Sequence, residues 1–372
     1  SRGLGDVYKR QNSFINGTNW KDEVTAIDRM AKLTKEDIVA FADKYLKEDN
    51  YAVVYKKQGK DPNEKKMTKP EITPIVSNRD VASPFLTSIQ ENAVKPIEPV
   101  FLDFKKDMSQ LTAKSDIPVL YKQNTTNDLF QLIYVFDMGN NNDKALGTAF
   151  DYLEYLGTSD MTPEELKSEF YRLACTFYVS PGNERTYVVL SGLNENMPAA
   201  MQLFEKLLAD AQANKEAYNN LVGDILKARA DAKLNQGQNF SRLMNYAMYG
   251  PKSPATNLLT EAELASMNPQ ELVDRIHNQN NYKHRILYYG PSSSKDLLAT
   301  IDQYHQVPAT LKDIPAGNEF SYLETPATKV LVAPYEAKQI YMAQISNLDK
   351  KYDPAIEPTR ELYNDCLLYT SP

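Results

Sequence analysis

An apolar run from Leu129 to Phe136, broken only by Gln131 and set between Asp128 and Asp137, predicts a strand. A polar turn beginning at Gly139 follows. Beyond it Leu146, Ala149, Phe150, Leu153 and Leu156 recur at the three- and four-residue spacing that places them on one face of a helix. Gly157 then offers that helix a left-handed stop. A second helix is expected from Thr162 to Leu173, with Pro163 in its first turn and Glu164 and Glu165 favouring its positive end.

On the N-terminal side, amphipathic helices are predicted over Trp20–Met30 and Thr34–Leu46. The second has Thr34 as its cap, Asp37 three residues on, and a stripe of Ile38, Phe41, Ala42 and Tyr45. A strand, Tyr51–Tyr55, comes next. Residues 60–99 are rich in Lys, Pro, Asn and Ser. Proline withholds the donors that a sheet needs, so an extended connector is expected there, with a short turn at Pro84–Glu91. Further strands are expected at Phe101–Phe104 and Val119–Lys122, and another pair, Cys175–Val179 and Thr186–Leu193, around a Ser180–Asn183 turn. Helical patterns cover Pro198–Ala211, Lys215–Leu234, Phe240–Tyr249 and Asn268–His277, before a strand at His284–Tyr289 and a helix at Ser294–Tyr304. Strands and helices mix without strict β-α-β alternation. The fold class implied is α+β, in repeated domains that each pack a mainly antiparallel sheet with helices.

The repetition is visible in the chain itself. Leu33–Val39, with Asn50, Tyr51 and Tyr55 after it, returns about 234 residues later as Met267–Val273, with Asn281, Tyr282 and Tyr288 after it. A second echo links Pro118–Tyr121 to Lys329–Val332 and the strand beyond it to Gln339–Ile345. Repeats at this separation imply homologous modules. Residues 12–59 are expected to be the tail of one module, 60–99 a linker and 100–307 a complete module. A second linker at 308–320 and the start of a third module at 321–365 complete the expected order. The ends, residues 1–11 and 366–372, resemble translated adapter sequence from short-read assembly and are expected to be non-native.

Composition narrows the class without naming a reaction. A chain of 372 residues, 42% hydrophobic and 24% charged, suits roughly two to three globular domains with sizeable cores. No apolar run approaches the roughly 20 residues of a membrane helix. The net charge of -7 is spread along the chain, which argues against a nucleic-acid partner. Cys175 and Cys366 are too few for a disulfide framework or a cysteine metal site, and Cys175, among Leu173, Ala174 and Phe177, reads as a packing thiol. The Ser180–Asn183 and Gly290–Ser294 stretches lack the lysine and glycine spacing of a phosphate loop and read as turns.

The strand, the Gly139 turn, the helix and its closing Gly157-Thr158 resemble the insulinase/pitrilysin-like family of zinc peptidases. In that family the helix carries an inverted zinc motif, His-x-x-Glu-His, and ends in Gly-Thr. Counted back from Gly157, the motif positions fall on Thr148, Asp151 and Tyr152, so both histidines are absent. The family's distal acidic pair falls on Asp224 and Asp231. The resemblance spans Asn12 to about Asp365 and rests on module order, linker placement and the Gly-Thr helix.

The resemblance implies a peptidase of four homologous domains in two halves that close around an extended peptide. The first domain would carry zinc. This chain would supply the end of the second domain, the whole third and the start of the fourth, with no cofactor of its own. A substrate-contacting Arg/Tyr pair would lie beyond Glu361–Asn364. The implied partners are an extended peptide substrate and the N-terminal half of the same chain. The function expected is the noncatalytic portion of a zinc endopeptidase acting on unstructured peptides, or else an inactive scaffold or processing subunit. Similarity to bacterial envelope peptidases implies a periplasmic or cell-envelope setting, while the residues themselves leave the compartment open.

The residues present agree with a silent module. Zinc hydrolysis on this plan needs two neutral imidazoles one turn apart, a glutamate base and a third, distant glutamate ligand. His277, His284 and His305 never stand three or four residues from one another and are expected to be solvated surface side chains. Thr148 and Tyr152 are poor zinc ligands, Asp151 is one methylene shorter than the base, and Asp224 and Asp231 read as helix-surface charges. No catalytic or metal-binding residue is assigned.

Overall fold

A computed structural model describes residues 2–47, 49, 51–56, 59, 71, 81–92, 97–337, 339–347 and 353–370. The chain divides into two compact units, residues 1–101 and 102–372.

The first unit contains helices α1 (Arg2–Asn16), α2 (Trp20–Val24), α3 (Ala26–Met30), α4 (Lys35–Tyr45) and α5 (Pro84–Gln90). Thr34 and Asp37 form the reciprocal capping box at the start of α4, as the sequence leads one to expect. The stripe below it is largely exposed: Ile38 and Phe41 are each 61% exposed, and the Phe41 and Tyr45 ring centroids lie 4.7 Å apart. Among the residues of this unit whose side chains are described, only Ser13 is buried. The strand expected at Tyr51–Tyr55 is irregular extended chain, because a strand exists only through a paired neighbour. Most of the connector expected over 60–99 lies outside the described residues. The part that is described includes α5, with Ser83 as its cap and Pro84 in its first turn.

The second unit is built on a six-stranded sheet: β1 (Ser109–Ala113), β2 (Ile117–Gln123), β3 (Leu129–Phe136), β4 (Cys175–Pro181), β5 (Thr186–Leu193) and β6 (Arg285–Gly290). The strand order is β1-β2-β6-β3-β5-β4, and within this sheet, among the described residues, β2 with β6 is the one parallel pair. The helices are α6 (Phe104–Asp107), α7 (Leu146–Leu153), α8 (Pro163–Arg172), α9 (Met197–Asp210), α10 (Lys215–Ala232), α11 (Gln236–Tyr249), α12 (Glu261–Ser266), α13 (Pro269–Asn278), α14 (Ser294–Tyr304) and α15 (Glu357–Thr370). This is the α+β arrangement that the sequence predicts. Three stretches expected as strands are not strands. Phe101–Phe104 is exposed irregular chain running into α6, and the edge strand is β1 instead, whose register with β2 turns Leu111 and Ala113 inward. Lys329–Val332 and Gln339–Ile345 are irregular and largely exposed, with no strand beside them among the described residues.

Alternation along β3 sends Phe130, Leu132, Tyr134 and Phe136 to one face, where they join Ile117 and Val119 of β2 and Ile286 and Tyr288 of β6. Helices α7, α9 and α13 pack together on this layer through Leu146, Phe150, Leu153, Phe204, Leu207, Leu272 and Ile276. Each such side chain contributes about 1.5–3 kcal/mol on burial. The opposite face carries the row Leu120, Leu287, Ile133, Val189 and Tyr178 across five strands.

Candidate functional site

Helix α7 is held at both ends by close backbone approach. At its entrance a Cβ on Gly139 would lie 2.5 Å from the carbonyl oxygens of both Gly182 and Asn183, so only glycine lets β3 run beside the β4–β5 turn. At its exit Gly157 is not a left-handed cap, contrary to expectation. The helix ends at Leu153 with Glu154 still helical, and Gly157 is not among the positive-φ residues. Gly157 is required for space instead: a Cβ there would sit 2.3 Å from the Met161 carbonyl. That carbonyl accepts the Thr158 N–H at 2.9 Å, and the Gly157 carbonyl accepts the Gln212 N–H at 2.9 Å. Thr158 is buried, its hydroxyl donating to Asp160.

Between these anchors the three motif positions do different work. Tyr152 is fully buried; its hydroxyl donates to the Asn214 carbonyl at 2.6 Å and accepts the Asn214 N–H at 2.7 Å, and its ring meets Tyr218 edge-on. Burial holds this phenol above its ordinary pKa, so it stays neutral. Thr148 is half-buried one turn earlier. Asp151 is exposed, its carboxyl shifted upward by desolvation and then by the charge of Glu154. Asn214 caps α10, on which Asp224 and Asp231 are exposed, about 15 Å and 25 Å further along the helix axis. The donor set does not fit zinc, since the one buried oxygen at a motif position is fully engaged by backbone. Among the described residues no group of three or more His, Cys, Asp or Glu side chains could hold a metal ion.

The structure brings together a different cluster that the sequence does not announce. His284 and His305 are not the solvated residues expected: His284 is 6% exposed and His305 fully buried. Their Nε2 atoms lie 2.9 Å apart. His305 Nδ1 stands 2.6 Å from Glu205 Oε1, which also accepts the Tyr134 hydroxyl at 2.8 Å. Glu205 Oε2 accepts Asn280 Nδ2 at 2.9 Å and the Gln306 N–H at 3.0 Å. The remaining nitrogen, His284 Nδ1, donates to the Tyr282 carbonyl at 2.8 Å.

Proton counting constrains this network. With His284 Nδ1–H on the Tyr282 carbonyl, one proton bridges the two Nε2 atoms and one lies between His305 Nδ1 and Glu205, so the cluster holds one proton more than two neutral rings and a carboxylate carry. Burial, and then the positive charge on His305, lower His284 to about 4, so His284 is the acceptor in the Nε2 pair. Burial and the Glu205 carboxylate likewise raise the Tyr134 hydroxyl well above its ordinary value. The sequence signal was an acid inside an apolar stripe: Glu205 lies in α9 among Met201, Phe204 and Leu208, all buried. His277, half-buried on α13, is apart from the pair, with Nε2 3.1 Å from the Ala211 carbonyl.

Two hollows adjoin these groups. One, of about 350 Å³, is lined by Gly157, Thr158, Asp160, Pro163, Gln212 and Asn214 at the exit of the motif helix. The other, of about 280 Å³, is lined by Glu205, His277, Asn280 and Gln306.

The fold is shared with proteases of known structure. The periplasmic protease PqqL from Escherichia coli matches with a TM-score of 0.53 at 14% identity, over 82% of this chain and 32% of that one. The ferredoxin protease FusC, solved in complex with Arabidopsis ferredoxin, matches with a TM-score of 0.51 at 10% identity, over 87% of this chain and 38% of that one. A peptidase M16 inactive domain from Pseudomonas fluorescens matches with a TM-score of 0.47 at 15% identity, over 58% of this chain and 53% of that one. The chain thus spans about a third of the length of PqqL. No protein-family model matches it, and no curated protein matches it in sequence.

Proposed function

We propose that this chain, which has the fold of the proteases above, is the noncatalytic portion of a zinc endopeptidase of the insulinase/pitrilysin-like type. Residues 12–59 close one domain, 100–307 form a complete silent domain and 321–365 open another; zinc and the cutting residues belong to the N-terminal half of the same protein. The observation that carries this reading is Tyr152: the position where the motif asks for an imidazole holds a buried phenol bonded to both backbone groups of Asn214. Gly139, Gly157 and Thr158 keep the motif's frame, while Thr148, Asp151, Asp224 and Asp231 occupy ligand and base positions without forming a site.

The role left to such a domain is to enclose an extended peptide. Strand β4 is an edge of the sheet, and an unstructured peptide pairs with such an edge through main-chain hydrogen bonds, reading Thr176, Tyr178 and Ser180 on the outward face. A periplasmic setting is in keeping with PqqL. The test is a zinc titration and a peptide digest on the full 372-residue chain. No stoichiometric zinc and no cleavage are expected. One-to-one zinc binding that Thr148→Ala or Tyr152→Phe abolishes would overturn the reading.

A further inference from the structure

The segment that leaves α14 is strapped across the domain. It begins at the histidine cluster, where the Gln306 N–H donates to Glu205. The Ser115 hydroxyl then donates to the Pro308 carbonyl at 2.7 Å. Lys312 is fixed on both sides, its N–H donating to the Asn281 carbonyl and its carbonyl accepting the Lys283 N–H. The strap ends on the turn that opens the motif helix: Asn142 donates to the Pro315 carbonyl at 2.8 Å, and the Asn318 N–H to the Asn141 carbonyl at 2.7 Å.

We propose that His284, His305 and Glu205 form an acid-operated latch, which holds the strap from Gln306 to Asn318 at neutral pH and releases it when the histidine pair takes up a second proton. With one extra proton, His305 Nε2–H donates to His284 Nε2, and the positive pair sits against the carboxylate. A second proton leaves two N–H groups facing each other at 2.9 Å and two positive charges on adjoining rings, with no further carboxylate to take either. Separation of the rings is the relief open to the cluster. His284 precedes a central strand, whereas His305 is the cap of α14 from which the strap departs, so the strap side moves.

Neighbouring charges do not cancel this. Tyr134 of β3 faces the cluster as a neutral donor. His277 of α13 lines the same hollow as Glu205 but is turned to the Ala211 carbonyl. Arg285 is paired with Asp137, Lys283 with Asp313 and Lys206 with Asp160, while Asp302 on α14 accepts from the Lys114 backbone. A released His284 regains its usual value of 6.5 against about 4 when latched. Linkage then makes opening about 30-fold more frequent at pH 5 than at pH 7.5.

Hydrogen exchange on the full chain at the two pH values, corrected for intrinsic rates, tests this. Peptides covering residues 305–318 are expected to lose about 30-fold in protection at pH 5, and those covering β3 and β5 less than twofold. His284→Gln keeps an acceptor that cannot titrate, so its strap should stay protected at pH 5. Unchanged strap protection in the wild-type chain, equal loss throughout the domain, or the same loss in His284→Gln would each overturn the latch. Should His284→Gln not fold, imidazole nitrogen shifts of the wild-type chain decide: His284 must be neutral at pH 7 and become charged together with strap release. An imidazolium at His284 at pH 7, or release while it is still neutral, refutes the proposal.

Discussion

Replacing Tyr152 by phenylalanine removes one oxygen and leaves the ring in place. That oxygen serves two backbone groups, the carbonyl and N–H of Asn214, at 2.6 and 2.7 Å. A buried polar group left without a partner costs about 1–3 kcal/mol, but Asn214 is exposed, so water recovers part of the loss. The net expectation is about 1.5 kcal/mol. For a unit of this size each kcal/mol moves Tm by about 2–4 °C, so a fall of about 3–6 °C is expected in calorimetry of Tyr152→Phe, with the corresponding loss in urea denaturation. Tyr155→Phe, at an exposed position two residues past the end of α7, is the control and should change stability by less than about 0.5 kcal/mol. If Tyr152→Phe is as stable as the wild type, the hydroxyl does not tie α7 to α10, and the claim that structure has taken over the ligand position fails.

Gly157→Ala drives a Cβ to 2.3 Å from a backbone carbonyl and should cost about 2–3 kcal/mol, whereas Gly223→Ala, inside α10 with nothing within 4 Å, should gain about 0.5–1 kcal/mol. Equal effects in thermal denaturation would contradict the spatial explanation of Gly157. Glu263 is depressed to about 2, first by its hydrogen bond from Lys144 and then by the N–H and hydroxyl of Thr260. Its contribution to stability is therefore present above about pH 4.5 and lost as pH falls through about 2. In a carboxyl carbon NMR titration Lys144→Ala should raise this value towards 4.5, and an unchanged titration would show that the ion pair is not the cause.

Local periodicity was enough for most of the elements that position the motif helix. The apolar run of β3 and the three-four spacing of Leu146, Ala149, Phe150 and Leu153 were legible because each is a pattern within one element. The cap at Thr34, with Asp37 three residues on, was legible for the same reason, since it closes within four residues. The lack of two imidazoles at Thr148 and Tyr152 needed no coordinates either.

Relations between distant residues needed the fold. Tyr51–Tyr55 has the composition of a strand but no paired neighbour among the described residues, and the place expected of Phe101–Phe104 went to β1, whose register with β2 is a long-range fact. Gly157 looked like a cap because a sequence shows which residues come after a helix, not which distant backbone passes beside it. Most of all, Glu205, His284 and His305 are separated by 79 and 21 residues, so no spacing rule joins them. Only the packing of α9 and α14 beside β6 removes the water that would otherwise solvate each separately, and that desolvation turns three ordinary residues into one coupled cluster.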